Sequence, residues 1–223
     1  MAAMTTHSSD TGVLERREDP GRVPAFVDGT FAIIITILVL GIGVPSDLSE
    51  QSLRQAIDEI GPTLIAWVIS FLLVGMYWVW HRDLFVNVRH VNRDLIWLNI
   101  LFLLPVCLVP FAAAVLGDYH DEPIALHLYG AVLIAVSLMR IALYWYVSHR
   151  PKLLWEPISV RERRLGMTLT GVPMVFYAVA MIIADAAHQV SLLLYLIVPA
   201  FYFVMVTVLR DRPSTASDAD NFS

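Results

Sequence analysis

Six apolar stretches, separated by short charged or Gly/Pro-bearing breaks, run along the chain at residues 23–44, 62–80, 95–116, 124–147, 165–184 and 190–209. Each is long enough to cross a bilayer core of roughly 30 Å as a helix. Only Asp185, Ala186, Ala187, His188 and Gln189 part the last two, which predicts a helical hairpin. Between the first two, residues 46–60 put Leu48, Leu53, Ala56, Ile57 and Ile60 near one helical face, with Ser46 or Asp47 available as N-cap. That pattern predicts a short amphipathic helix at the outer interface. The first stretch is too long for the core of a signal peptide, and no A-x-A-like site follows it, so it reads as a retained helix. Pro105, Pro110, Pro173 and Pro199 read as kinks. The two three-span halves show no internal repeat, which weakens an inverted-repeat transporter. The expected fold is an all-α integral membrane protein of six transmembrane helices over residues 22–210. Residues 1–21 and 211–223, polar and rich in small side chains, read as disordered tails.

Composition narrows the class. The chain is 57% hydrophobic and 16% charged, against roughly 45–50% and 25% in soluble domains. This argues against a soluble enzyme and a nucleic-acid binder. The net charge of −5 conceals a segregation. Arg16, Arg17, Arg22, Arg82, Arg89, Arg93, Arg150, Lys152, Arg161, Arg163, Arg164, Arg210 and Arg212 fall on one side of the predicted spans. Asp47, Glu50, Asp58, Glu59, Asp118, Asp121, Glu122 and Asp185 fall on the other, with Arg54 as the exception. The positive-inside rule then predicts a multi-pass cell-membrane protein with both termini cytoplasmic. The single Cys107 excludes an internal disulfide and a CxxC motif, and its apolar surroundings predict a buried thiol.

An ionisable side chain inside a membrane helix is costly and is paired or functional. Asp28 sits near the inner end of the first span. It reads either as a helix-end carboxylate at the headgroups or as a buried carboxylate held by other helices. Trp78, Trp80, His81, Arg82, Asn92, Arg93, Asp94, Trp97 and Asn99 lie at the same predicted level. Indole, imidazole and amide donors of this kind satisfy a carboxylate, while an interfacial aromatic belt accounts for the tryptophans without any network. Ile33, Thr36, Ile37 and Leu40 share one helical face by their spacing. Such a stripe packs into a core or lines a pore, and spacing by itself favours the core, since a threonine in a membrane helix can bond its own backbone. His120, Asp121, Glu122 and His127 meet no metal-site spacing and read as a solvated outer loop. Arg140 is expected to snorkel to phosphates. No Ser/His/Asp, HExxH, P-loop or GxSxG arrangement occurs, so neither an enzyme nor a cofactor is expected.

The segment Arg22-Val-Pro-Ala-Phe26-Val27-Asp28, followed by an apolar helix with Thr36 eight residues after the Asp, resembles the opening helix of the transmembrane-protein-175 family of potassium channels. Tyr77-Trp78, His81, Leu84-Phe85, Leu95-Ile-Trp97-Leu-Asn99 and Pro110-Phe111 resemble a second stretch of that family. One departure is Val27, where the family signature has Ser. The resemblance implies a homotetramer whose first helices line a central pore. It implies constrictions at Ile33, Ile37 and Leu40, potassium preference at Thr36, and a hydrogen-bond network of Arg22, Asp28, Trp78, His81 and Asn99. Potassium would be the permeant ion, with modest preference over sodium and a proton leak; other monovalent cations and the lipid bilayer are the remaining expected partners. No TVGYG-like filter is present. The rival reading is a small secondary transporter or proton-coupled carrier using Asp28 and His81 as a relay; a third is an accessory subunit.

Overall fold

A computed structural model of the chain describes residues 21–43, 57 and 60–210, the side chains of 203–210 excepted. Its helices are α1 (Arg22–Ile37), α2 (Gly61–Val86), α3 (Arg93–Cys107), α4 (Val109–Asp118), α5 (Pro123–Ser148), α6 (Val160–Ile183) and α7 (His188–Arg210), with 3-10 turns at Leu38–Gly41 and Pro151–Leu153. No strand occurs among the described residues beyond an isolated bridge between Val88 and Leu154. Five stretches are long and apolar enough to cross a bilayer: Arg22–Gly41, Gly61–Val86, Arg93–Asp118, Pro123–Ser148 and Val160–Ile183. The sixth helix of the apolar pattern, α7, has 23 residues.

Two predicted spans differ in detail. The first is not one α-helix to residue 44: it tightens after Ile37 into the 3-10 turn, closed by Ile42 N–H donating to Val39 O at 3.1 Å. Gly41 of this turn lies against α4, where a Cβ would meet Ala114 Cβ at 3.4 Å, an ordinary contact. The third span divides at Leu108. Pro110 has no N–H to give Val106, and Leu108 N–H turns to Pro105 O at 3.1 Å, so the ladder breaks between α3 and α4. Pro173 and Pro199 lie inside α6 and α7, neither of which is interrupted there. Most of the predicted amphipathic segment 46–60 lies outside the described residues, as do the predicted tails apart from Gly21.

α2 and α5 form the centre of the bundle. α2 packs on α1, α4 and α7, while α5 packs on α3, α4 and α6. Buried tyrosines stitch these helices together: Tyr129 and Ser70 hydroxyls lie 2.8 Å apart, and Tyr195 donates to Leu126 O at 3.0 Å. Such bonds matter most where no water can replace them. At one end of the bundle the α2–α3 and α5–α6 loops are sewn together, Arg89 N–H donating to Leu153 O at 2.7 Å and Trp155 N–H to Asn87 O at 2.9 Å. A Ser159/Glu162 capping box starts α6 just beyond. Cys107 departs from expectation: it is exposed, between exposed Leu104 and Leu108 on the outer face of the α3–α4 break.

Candidate functional site

α1 has two faces of opposite character. Val27, Phe31, Ile34 and Leu38 are buried and recur at helical spacing. They face α2 and α3, where the ring of Phe31 meets that of Phe102 at 6.2 Å. The other face carries Phe26, Gly29, Ile33, Thr36, Ile37 and Leu40, all exposed. Ile33 is 59%, Ile37 44% and Leu40 78% exposed. The stripe is therefore not core within one subunit, against what spacing alone favours. The same periodicity marks both faces; the one that α2 and α3 cover is 27/31/34/38. The Thr36 hydroxyl lies 2.8 Å from Ile33 O and 3.0 Å from Ala32 O, to which its single proton is shared. With the proton committed to the backbone, the oxygen of this exposed residue remains free to accept.

The expected network resolves into two separate pairs. Trp78 Nε1 on α2 donates to Asp28 Oδ1 on α1 at 2.8 Å. His81 Nε2, also on α2, meets Asn99 Oδ1 on α3 at 2.7 Å, and Asn99 Nδ2 donates to Leu95 O. An amide oxygen only accepts, so Nε2 carries the proton in this pair. His81 and Asn99 are buried. The imidazole is stacked between Phe85, at 4.4 Å, and Phe102, at 5.8 Å. The first pair thus ties α1 to α2, and the second ties α2 to α3. Arg22 is exposed, and no hydrogen bond or ion pair joins it to the other four among the described residues. Asp28 and His81 have different partners, so no hydrogen bond links them into a relay.

The aromatic residues divide between the two sequence readings. Trp97 is exposed, as an interfacial belt residue is, whereas Trp78 and Trp80 are part-buried against other helices. Arg140 does not snorkel. It is buried on α5 at 2% exposure, its guanidinium 4.7 Å from the Trp80 ring and 5.3 Å from the Tyr77 ring. Reaching an aromatic cage across the bundle replaces reaching the headgroups. Sequence reasoning also passed over Ser70, Tyr129, Tyr177 and Tyr195; a polar hydroxyl recurring inside otherwise apolar spans is the signal that marks them. On the predicted outer side, His120 pairs with Asp121 at 3.4 Å and His127 with Asp185 at 3.7 Å. No group of three metal-ligating side chains forms among the described residues.

Residues 22–110, which include α1 and both pairs, match the profile of the endosomal/lysosomal potassium channel TMEM175. A potassium channel of Streptomyces collinus is 40% identical over 58% of this chain and 65% of its own length. One of Chamaesiphon minutus is 31% identical over 66% of this chain and 74% of its own. The chain belongs to the TMEM175 family. The human endosomal/lysosomal proton channel TMEM175 is 27% identical over 87% of this chain, which spans 39% of that longer protein. The match to the Streptomyces channel likewise spans just under two-thirds of it. In fold, the chain resembles the crystal structure of a lysosomal potassium-selective TMEM175 homologue from Chamaesiphon minutus, with a TM-score of 0.74 at 24% identity over 83% of this chain and 96% of that one. These TMEM175 relatives are named as ion channels, and the chain is a multi-pass helical protein like the solved homologue.

Proposed function

We propose that the protein is a passive, potassium-permeable cation channel, and not an enzyme, in which α1 of four identical subunits surrounds the ion path. The observation that carries this is the open stripe of α1. A membrane-spanning helix buried on one face by its own subunit, with Ile33, Ile37, Leu40 and the Thr36 hydroxyl on the other, fits a constriction built by repetition of the chain. Ile33 and Leu40 are seven residues apart, an apolar throat about 10 Å long. Such a throat gates by dewetting and disfavours the more strongly hydrated sodium ion. The Thr36 oxygens, left free to accept, replace part of the water that potassium sheds. With both termini cytoplasmic in the cell membrane, Asp118, Asp121, Glu122 and Asp185 gather at the outer mouth and concentrate cations there. The pore prefers potassium modestly and leaks protons.

Reversal potentials of the purified protein in planar bilayers, with potassium on one side and sodium on the other, test the proposal directly. The expected current reverses on the potassium-selective side of zero and grows with voltage without saturating. Saturating flux coupled to a second solute would replace it with the carrier reading, and a monomer without current with the accessory subunit. In the same recordings Thr36→Ala should move the reversal potential towards zero, a loss of about threefold to tenfold in potassium preference for about 1 kcal/mol of removed ion coordination. An unchanged ratio would take selectivity away from Thr36. Folding should be little affected, because the hydroxyl bonds only its own helix.

A further inference from the structure

The segment Tyr77–His81 of α2 is held from three directions. Trp78 and His81, three residues apart, share a helix face towards α1 and α3. Tyr77 and Trp80 share another, and over both rings lies the guanidinium of Arg140. Arg140 is unusual in its own right. It lies eight residues before the end of α5, about 12 Å along the helix. Its Nε and Nη1 are buried with no hydrogen-bond partner, and no salt bridge joins it to a carboxylate among the described residues. An arginine stays charged even there, and the two ring faces help to compensate the buried cation, together with the nearby Tyr177 and Tyr202. A buried charge without a counter-ion is a poor way to fill space; a methionine would pack as well without the desolvation cost. What a methionine lacks is direction. The planar guanidinium lies over two rings of α2 at once, and the rotation of α2 about its axis also carries the Trp78 indole that donates to Asp28.

We propose that Arg140 is a positioning residue for the pore helix: from α5 it locks the rotation of α2 through Trp80 and Tyr77, and so keeps the Trp78–Asp28 bond that seats α1. The proposal rests on the channel reading for its functional consequence, though not for its structural one. Tyr77 further meets Tyr177 of α6, hydroxyl to hydroxyl at 3.4 Å, so the lock extends to a fourth helix.

A double-mutant cycle tests it. Arg140→Met and Trp78→Phe are made singly and together, and potassium flux into liposomes and melting temperature in detergent are measured, with oligomeric size checked by gel filtration. Arg140→Met should change flux by about fivefold or more at unchanged oligomeric size, yet by less than about twofold in the Trp78→Phe background, where the bond it protects is already gone. Arg140→Lys, which keeps the charge and loses the planar guanidinium, should behave like Arg140→Met. Should Arg140→Met fail to fold, the lysine variant carries the same cycle. Unchanged flux in both Arg140 variants, or equal factors in the two backgrounds, would overturn the proposal. If the wild-type protein conducts nothing, the channel reading fails by itself. The melting temperatures then decide the positioning role: non-additive losses uphold it and additive ones overturn it.

Discussion

Ile33→Asn should raise potassium flux through the reconstituted protein by about tenfold, the effect of removing about 1.4 kcal/mol from a permeation barrier. In the proposed pore four copies of this side chain narrow the path, and an apolar ring of that kind opposes ions by expelling water. An amide of similar size brings donors and acceptors to the same place and lets the throat stay wet. Fold should survive the change, because Ile33 is 59% exposed and packs little within its subunit. Its neighbour supplies the control. Ile34 is 4% exposed, on the face of α1 that meets α2 and α3. Ile34→Asn places an unsatisfied amide in packed core, a loss of about 3 kcal/mol or more, and should abolish folded protein without any phase of increased flux. Stopped-flow or fluorescence flux assays on the two variants separate the faces. If Ile33→Asn conducts no better than wild type, the stripe faces something other than ions.

The contrast between residues 33 and 34 also marks how far the amino-acid sequence could be read. Hydropathy summed over 20 residues finds a membrane helix whichever way its side chains point, so the apolar stretches and the helical class were legible. Periodicity then sorts α1 into faces, but says nothing of which face a subunit covers. Only the path of α2 and α3 decides that 27/31/34/38 goes inside. Local geometry explains one further difference: the break at Leu108 follows from Pro110, which has no N–H to continue the ladder.

The environments of Arg140 and Cys107 are not legible in the sequence for a different reason. They are made by partners distant in the chain or by the absence of any. Arg140 meets rings sixty or more residues earlier in the sequence, and Cys107 lies on a surface that no described helix covers. The network residues are intermediate. The levels of Asp28, Trp78, His81 and Asn99 follow from topology. Their pairing as 28 with 78 and 81 with 99, leaving Arg22 apart, depends on helix rotation, which spacing does not reveal.

Asn99→Leu should be among the most destabilising single changes in the bundle, and a second substitution should largely reverse it. The leucine removes the acceptor for His81 Nε2–H, in a place where His81 and residue 99 are both about 1% exposed and no water replaces the lost partner. Leaving such a donor unsatisfied costs about 1–3 kcal/mol, which for a chain of this size lowers the melting temperature by roughly 2–12 °C. The imidazole must then tilt from its stack between Phe85 and Phe102, and Phe102 is the ring against which Phe31 of α1 rests. Flux should fall together with stability, because the seat of α1, the helix proposed to line the pore, is disturbed from the α3 side. Replacing His81 by leucine as well removes the orphaned donor and restores an all-apolar contact. Exchanging both partners for apolar groups is close to neutral where exchanging one is not, so the double variant should regain most of the lost melting temperature. If the double variant melts as low as the single, the cost lies in packing around residue 99 and not in the broken hydrogen bond. A double variant that regains stability without regaining flux would show that the His81–Asn99 bond orients α1 in a way an apolar contact of equal stability does not.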